Sequence, residues 1–307
     1  MPFIVCLKPF TLNLLLQTTN FKLTFAIYLK TMFTLNCKGK LLAINKPIVM
    51  GIINTTPDSF FIGSRQATVD AALNKAAQML AEGATILDIG GQSTRPGSEQ
   101  IGTKEELNRV LPVIEVIHHQ FPEAFISIDT YHSTVAKKAV EAGASIVNDI
   151  SGGIMDEAML ATVAALQVPY ICMHTKGNPT NMQQQAVYEN VVKEVLNFFI
   201  HQTEKCRLAG IHDIIVDVGF GFAKTIEHNF QLLKQLEIFK ILQKPLLVGI
   251  SRKSTIYKTL NITANEALNG TTVINTIGLL NGANILRVHD VKEAVECIQL
   301  IEAYKIN

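Results

Sequence analysis

The chain has 307 residues, enough for two average domains or one large α/β barrel. With 48% apolar and 17% charged residues and a mean hydropathy of +0.24, it is not a disordered polymer. A formal charge of +1 removes any global argument for nucleic acid or an anionic membrane as partner, and five scattered cysteines without a C-x-x-C pair argue for free thiols in a reducing cytoplasm.

Along the chain, the first 31 residues come nearest to a membrane segment, but Lys8, Lys22 and Lys30 break the apolar run well short of the roughly 18 residues a span needs. They lack a small-residue cleavage site and any arginine, so they read as a disordered or artefactual extension, with Met32 an alternative start and a weak membrane-surface anchor as the rival reading. Residues 32–307 read as one domain. No acidic residue precedes Asp58, which leaves 21 basic against 26 acidic residues in the chain after the six early lysines. Eight short apolar runs follow: Ile48–Ile53, Thr85–Ile89, Phe125–Ile128, Ser145–Val147, Pro169–Met173, Ile214–Val216, Leu246–Ile250 and Asn284–Val288. Such runs suit strands buried on both faces of a parallel sheet.

Helical patterns separate them. Val69, Ala72, Leu73, Ala76, Ala77 and Leu80 follow the i, i+3, i+4 spacing before Gly83, and Val135, Ala136, Ala139 and Val140 do so before Gly143. A further helix is predicted from Thr103, with Thr103 and Glu106 as a capping box and Pro112 as a kink or break. Gly-Ala, a small polar residue and two β-formers recur at Gly83, Gly143 and Gly282, so each glycine closes a helix and opens a strand. Eight such units predict an α/β fold of the (β/α)8 TIM-barrel class, with a doubly wound open sheet as the structural rival.

In a parallel barrel the carboxyl ends of the strands build the site. Here they carry Asn54, Asp88, Thr94, Arg95, Asp129, Asn148, Asp149, His174, Asp217, Ser251, Arg252, Lys253, Ser254, Arg287 and His289. One such aspartate alone caps a helix or pairs with a neighbour more often than it serves a reaction, but polar tips on all eight strands need a common partner. The cationic set after the seventh and eighth strands falls where barrels bind phosphate. The carboxylates and amide opposite suit a donor-rich heteroaromatic ring such as an aminopyrimidinone. Gly219–Thr225 imitates a P-loop ending, but Ala223 stands where glycine is needed, and no H-E-x-x-H or G-x-S-x-G is present. His118, His119, His201, His212 and His228 read as surface residues.

Taken in order, these segments resemble the dihydropteroate synthase family over roughly Phe33 to Ala303. They are Met50-Gly51-Ile52-Ile53-Asn54-Thr55-Thr56-Pro57-Asp58-Ser59-Phe60, Asp88-Ile89-Gly90-Gly91-Gln92-Ser93-Thr94-Arg95-Pro96-Gly97, Ser127-Ile128-Asp129-Thr130 and Val147-Asn148-Asp149-Ile150. Met173-His174 with Gly177-Asn178-Pro179, Gly219-Phe220-Gly221-Phe222, Ser251-Arg252-Lys253-Ser254 and Arg287-Val288-His289-Asp290 complete the set.

The resemblance implies a folate-pathway transferase that joins 6-hydroxymethyl-7,8-dihydropterin pyrophosphate to p-aminobenzoate, assisted by Mg²⁺, in a cytoplasmic homodimer. It implies Lys253, Asp129 and Asp217 as catalytic groups. Thr94, Arg95, Asp129, Asn148, Asp217, Lys253, Arg287, Val288 and His289 would hold the pterin and pyrophosphate. Phe60, Thr94, Pro96, Phe222 and Ser254 would surround p-aminobenzoate, and Asn54 would face the metal. Two positions depart from the family pattern: Phe61-Ile62-Gly63-Ser64 carries no acid in the first loop, and Val218 stands where proline is usual. The first departure keeps a pterin-binding barrel with weakened turnover as an alternative. A pterin-dependent corrinoid methyltransferase is the other, though a methyl donor needs no pyrophosphate site.

Overall fold

The computed structural model describes residues 13–19, 22–28, 32–55, 65–93 and 100–306. Two antiparallel strand pairs come first: β1 (Asn13–Thr19) with β2 (Lys22–Tyr28), and β3 (Phe33–Cys37) with β4 (Lys40–Ile44). Neither pair was anticipated from the sequence. The second has a readable cause: Leu35 and Cys37, Leu42 and Ile44 alternate with exposed residues, and Lys38-Gly39 supplies the two positive φ angles (54° and 86°) of a two-residue turn.

Eight parallel strands then close into a barrel. They are β5 (Ile48–Asn54), β6 (Ile86–Gly90), β7 (Phe125–Asp129), β8 (Ile146–Asp149), β9 (Tyr170–Met173), β10 (Ile214–Asp217), β11 (Leu246–Val248) and β12 (Ile285–Val288). They are joined in sequence order, and β12 pairs back onto β5. All eight predicted runs are present, and the open-sheet rival is excluded by the closure.

The helices between them are α1 (Arg65–Ala81), α2 (Thr103–Gln120), α3 (Ser133–Ala142), α4 (Met159–Leu166), α5 (Val191–Ala209), α6 (Ile226–Lys234), α7 (Ser254–Leu260), α8 (Leu268–Leu280) and α9 (Val291–Ile306). Gly83, Gly143 and Gly282, the three glycines of the recurring pattern, follow α1, α3 and α8 with φ of 103°, 128° and 104°, and Gly210 ends α5 in the same way at 97°. At α2 two expectations are corrected. Gly102, not Thr103, holds the cap position and has no side chain to cap with, and the Glu106 carboxylate is fully buried with no bond back to the backbone. The helix also runs unbroken through Pro112.

The strand alternation decides what each face carries. Ile48, Met50, Ile86, Ile146, Ile171, Ile215, Leu247 and Ile285 point inward and pack with Leu35, Cys37, Leu42 and Ile44 of the β3–β4 hairpin, which plugs the amino-terminal end. Lys40 pairs there with Glu123, and Asn36 N–H donates to Asp213 Oδ2 at 2.7 Å. The outward residues, among them Val49, Ile53, Leu87, Ile128, Val216 and Val288, form the larger core under the helices. Two residues beyond the inward apolar layer, the same inward face carries Asp88, Asn148, Asp217 and Arg287.

Candidate active site

Arg287, near the end of β12, lies at the centre of the carboxyl-terminal mouth. Its Nε donates to Asp88 Oδ2 and its Nη2 to Asp129 Oδ2, both at 2.6 Å. Asp88 is fully buried, and its Oδ2 also accepts from Asn148 Nδ2 at 3.1 Å. Four strands, β6, β7, β8 and β12, are thereby tied through one guanidinium and one carboxylate. Burial pushes the Asp129 carboxyl up to about 7 against the pull of Arg287. Asp217, buried at the end of β10, accepts from Gly219 N–H at 2.8 Å, and burial raises its carboxyl as well.

Lys253 follows β11 at the cap of α7. Its ammonium donates to Phe220 O at 2.6 Å and stands 4.5 Å from the centre of the Phe222 ring. Burial lowers it to about 8, although Asp217 nearby favours its charge.

Beside them His289 is held neutral, lowered to about 4 first by burial and then by Arg287. Ser251 Oγ accepts the His289 backbone N–H at 3.2 Å and lies 3.1 Å from Nδ1. With the hydroxyl proton directed to Nδ1, the imidazole keeps its proton on Nε2 as a donor. Arg252, by contrast, forms a two-bond pair with Asp290 at 2.8 Å each and also donates to Ala264 O and Asn265 O. It braces the loop after β11.

The segment after β10 bends through Gly219, Gly221 and Ala223, with φ of 71°, 82° and 49°. A Cβ at Gly219 would fall 2.0 Å from His174 O, so only glycine lets the loops after β9 and β10 approach this closely. Lys224 bridges the two loops: its Nζ donates to Phe222 O at 2.9 Å and His174 O at 3.2 Å, and lies 3.0 Å from His174 Nδ1. Burial lowers Lys224 to about 7. The stretch that imitates a P-loop is thus a clamp between two loops.

Of the expected site residues, Asp129, Asn148, Asp217, Lys253, Arg287 and His289 come together at this mouth. Phe222 lies under Lys253, Ser254 opens α7 beside it, and Asn54 ends β5 half-buried. Val288 departs from expectation: the alternation that turns Arg287 inward sends the Val288 side chain into the outer core. Phe60, Thr94, Arg95, Pro96 and the segment Phe61-Ile62-Gly63-Ser64 lie outside the described residues. Asp149 serves the fold, accepting from Ser151, Gly153 and Tyr170. Two residues were left out of the expected site set: Asp88, whose inward parity with Ile86 was the available signal, and Lys224, whose signal was a lone charge in an apolar Gly-Phe stretch.

A (β/α)8 barrel with a donor-seeking pocket facing a cationic corner defines the class. A sequence profile described as "pterin binding enzyme" matches residues 50–289. Dihydropteroate synthase of Escherichia coli strain K12 is 42% identical over 268 residues, covering 87% of this chain and 94% of its own. The structure of Yersinia pestis dihydropteroate synthase with a sulfonamide drug complex superposes with a TM-score of 0.84 at 40% identity, over 90% of this chain and all of that one. The Xanthomonas albilineans enzyme with 4-aminobenzoic acid gives 0.83 at 37%, over 89% and 98%. The chain belongs to the dihydropteroate synthase family of pterin-binding enzymes. Its activity is the condensation of 6-hydroxymethyl-7,8-dihydropterin pyrophosphate with p-aminobenzoate to 7,8-dihydropteroate and pyrophosphate. Among the described residues no helix is long and apolar enough to cross a membrane.

Proposed function

We propose that the mouth divides this reaction between a ring-reading wall and a leaving-group corner. Asp129, Asn148 and Asp217 accept hydrogen bonds from the N–H edge of the pterin, Arg287 covers a ring face, and Lys253 donates to the ring carbonyl. The electron-rich dihydropterin stabilises the cation left as the CH₂–O bond breaks. Arg287 and the Nε2–H of His289 then meet the charge on the departing pyrophosphate. The arylamine is neutral at pH 7 and needs placement over the CH₂ more than a base. Phe222 and Ser254 give it a floor, and Phe60, Thr94, Arg95 and Pro96 complete these sites by family resemblance. The observation that carries the reading is the Arg287 bridge to Asp88 and Asp129, extended by the Asn148 bond to Asp88, because together they bring four strand ends to one point.

The donor set also fits Mg²⁺ carried on the pyrophosphate. No group of three or more His, Cys, Asp or Glu side chains able to hold a metal occurs among the described residues. Mg²⁺ on a substrate diphosphate needs only one or two protein oxygens, and Asn54 offers one. When bound, the ion would neutralise part of the leaving group's charge.

A homodimer through α8 and α9 completes the reading. Val273, Ile277 and Leu280 form an exposed stripe on α8, and Leu300 and Tyr304 are 72% and 73% exposed on α9. Sedimentation should give a dimer that Leu300→Glu splits. A cytoplasmic setting is supported by the free, buried thiols of Cys37, Cys172, Cys206 and Cys297. The central test is calorimetric titration with the pterin pyrophosphate, with and without Mg²⁺, followed by p-aminobenzoate and a pyrophosphate-release assay. Pterin binding without release would instead favour a binding barrel with a changed first loop.

A further inference from the structure

Asn148 could read a ligand in two opposite ways, since its side chain presents an acceptor when the carbonyl faces the pocket and a donor when the amide does. Here the choice is forced. Asp88 Oδ2 already receives the Arg287 Nε–H at 2.6 Å, so it meets Asn148 as an acceptor, and Asn148 must turn its Nδ2–H₂ toward it at 3.1 Å. The Asn148 carbonyl oxygen is left without a hydrogen-bond partner among the described residues, on a residue only 4% exposed. Asp129 and Asp217 add acceptors on either side of it around the barrel, so a fixed acceptor at 148 makes this wall uniform. A ring edge bearing an amino group satisfies it; one bearing a second carbonyl places oxygen against oxygen.

We propose that Asp88 is a positioning residue that sets the preference for an amino-substituted ring edge by locking the orientation of the Asn148 amide. The proposal rests on the pterin-pocket reading above. Arg287, the other group Asp88 holds, covers a ring face. Loosening it weakens ligands with either edge alike, so the ratio of their affinities isolates the amide.

The test is calorimetry on the full chain with two probes that differ only at that edge: 6-hydroxymethylpterin, with its 2-amino group, and the 2,4-dioxo analogue 6-hydroxymethyllumazine. The wild type should prefer the amino compound strongly, because a site built of fixed acceptors leaves the dioxo edge unpaired. Asp88→Ser keeps the position polar, but its hydroxyl donates or accepts, so the amide is free to turn; the preference should fall by about tenfold or more. Asp88→Asn keeps an acceptor oxygen against Arg287 and should retain most of the preference. If Asp88→Ser does not fold, as judged by circular dichroism, Asp88→Ala removes the lock by another route with the same expectation.

A ratio unchanged in Asp88→Ser, or lost equally in Asp88→Asn, overturns the proposal. So does failure of all three variants to fold, since Asp88 would then be needed for the barrel itself. Failure of the wild type to bind either probe would instead strike the pterin-pocket reading, which keeps the two failures apart.

Discussion

At the amino-terminal end of the barrel the inward positions hold Met50, Ile86, Ile146, Ile171, Ile215, Leu247 and Ile285, sealed by Leu35, Leu42 and Ile44 of the hairpin. Two residues further along the same strands, the inward positions hold Asp88, Asn148, Asp217 and Arg287. The first layer is held by burial alone and its polar groups are peripheral. The second layer keeps charges out of water and holds them with short bonds; burial brings Asp129, Lys224 and Lys253 all near neutrality, at about 7, 7 and 8, against the pull of their partners. One end stores stability and the other spends it on a preorganised site. Removing a group from each end should therefore have separable consequences.

The largest expected effect is at the mouth. Lys253→Ala or Asp217→Ala should cost about 2–4 kcal/mol of transition-state stabilisation, roughly 30- to 1,000-fold in kcat/KM. Denaturant midpoints should fall as well, because removing either group leaves the other buried without its counter-charge, so turnover is compared where the variants are folded. Unchanged turnover in Lys253→Ala would overturn the assignment of roles.

The mirror experiment is Leu42→Ala in the plug. Leu42 is 3% exposed in the inner apolar cluster, so truncation should cost about 2–4 kcal/mol of stability in urea unfolding, with kcat/KM unchanged at temperatures where the variant is folded. A fall in kcat/KM would show that the two ends are mechanically coupled and the comparison too sharp.

Lys224 belongs to the costly end without touching the proposed pterin pocket, and its signature is a slope. With its folded value near 7 against 10.5 for an ordinary lysine, the unfolded chain binds more protons than the folded one between those pH values. Stability therefore rises with pH across that window through this group. Lys224→Met should flatten the rise, whatever it does to the level of stability. Lys253 contributes in the same sense, lowered from 10.5 to about 8, so part of the slope should persist. A slope identical in the variant would mean that Lys224 is solvated and the clamp between the loops after β9 and β10 is absent.

The same contrast explains how much could be read without coordinates. The eight strands were legible because a strand buried on both faces is almost wholly apolar, and the glycines because a left-handed helix end tolerates little else. Asp129, Asn148, Asp217, Lys253 and Arg287 were legible as polar tips on apolar strands, a combination burial would otherwise forbid. The β3–β4 hairpin was missed although its alternation is plain, since five-residue strands with lysines at the turn look like linker. Asp88 was seen as a strand-end residue but not as the brace of Arg287 and Asn148, because that role depends on cross-barrel distances. Val288 was placed in the site by neighbourhood, although strand parity turns its side chain into the outer core.

The smallest expected effect tests the amino-terminal end from its rim. Lys40 and Glu123 form an ion pair whose carboxylate side is 89% exposed, and Lys40 also donates to the Glu123 carbonyl. An exposed pair gains little over hydrated ions and is screened by salt, so Glu123→Gln should move the melting temperature by no more than about 2 °C and leave kinetics untouched. A larger fall that disappeared in 0.5 M salt would mean that surface charge clips the hairpin in place. The plug would then be an electrostatic latch, and the division between an apolar floor and a polar mouth would have to be redrawn.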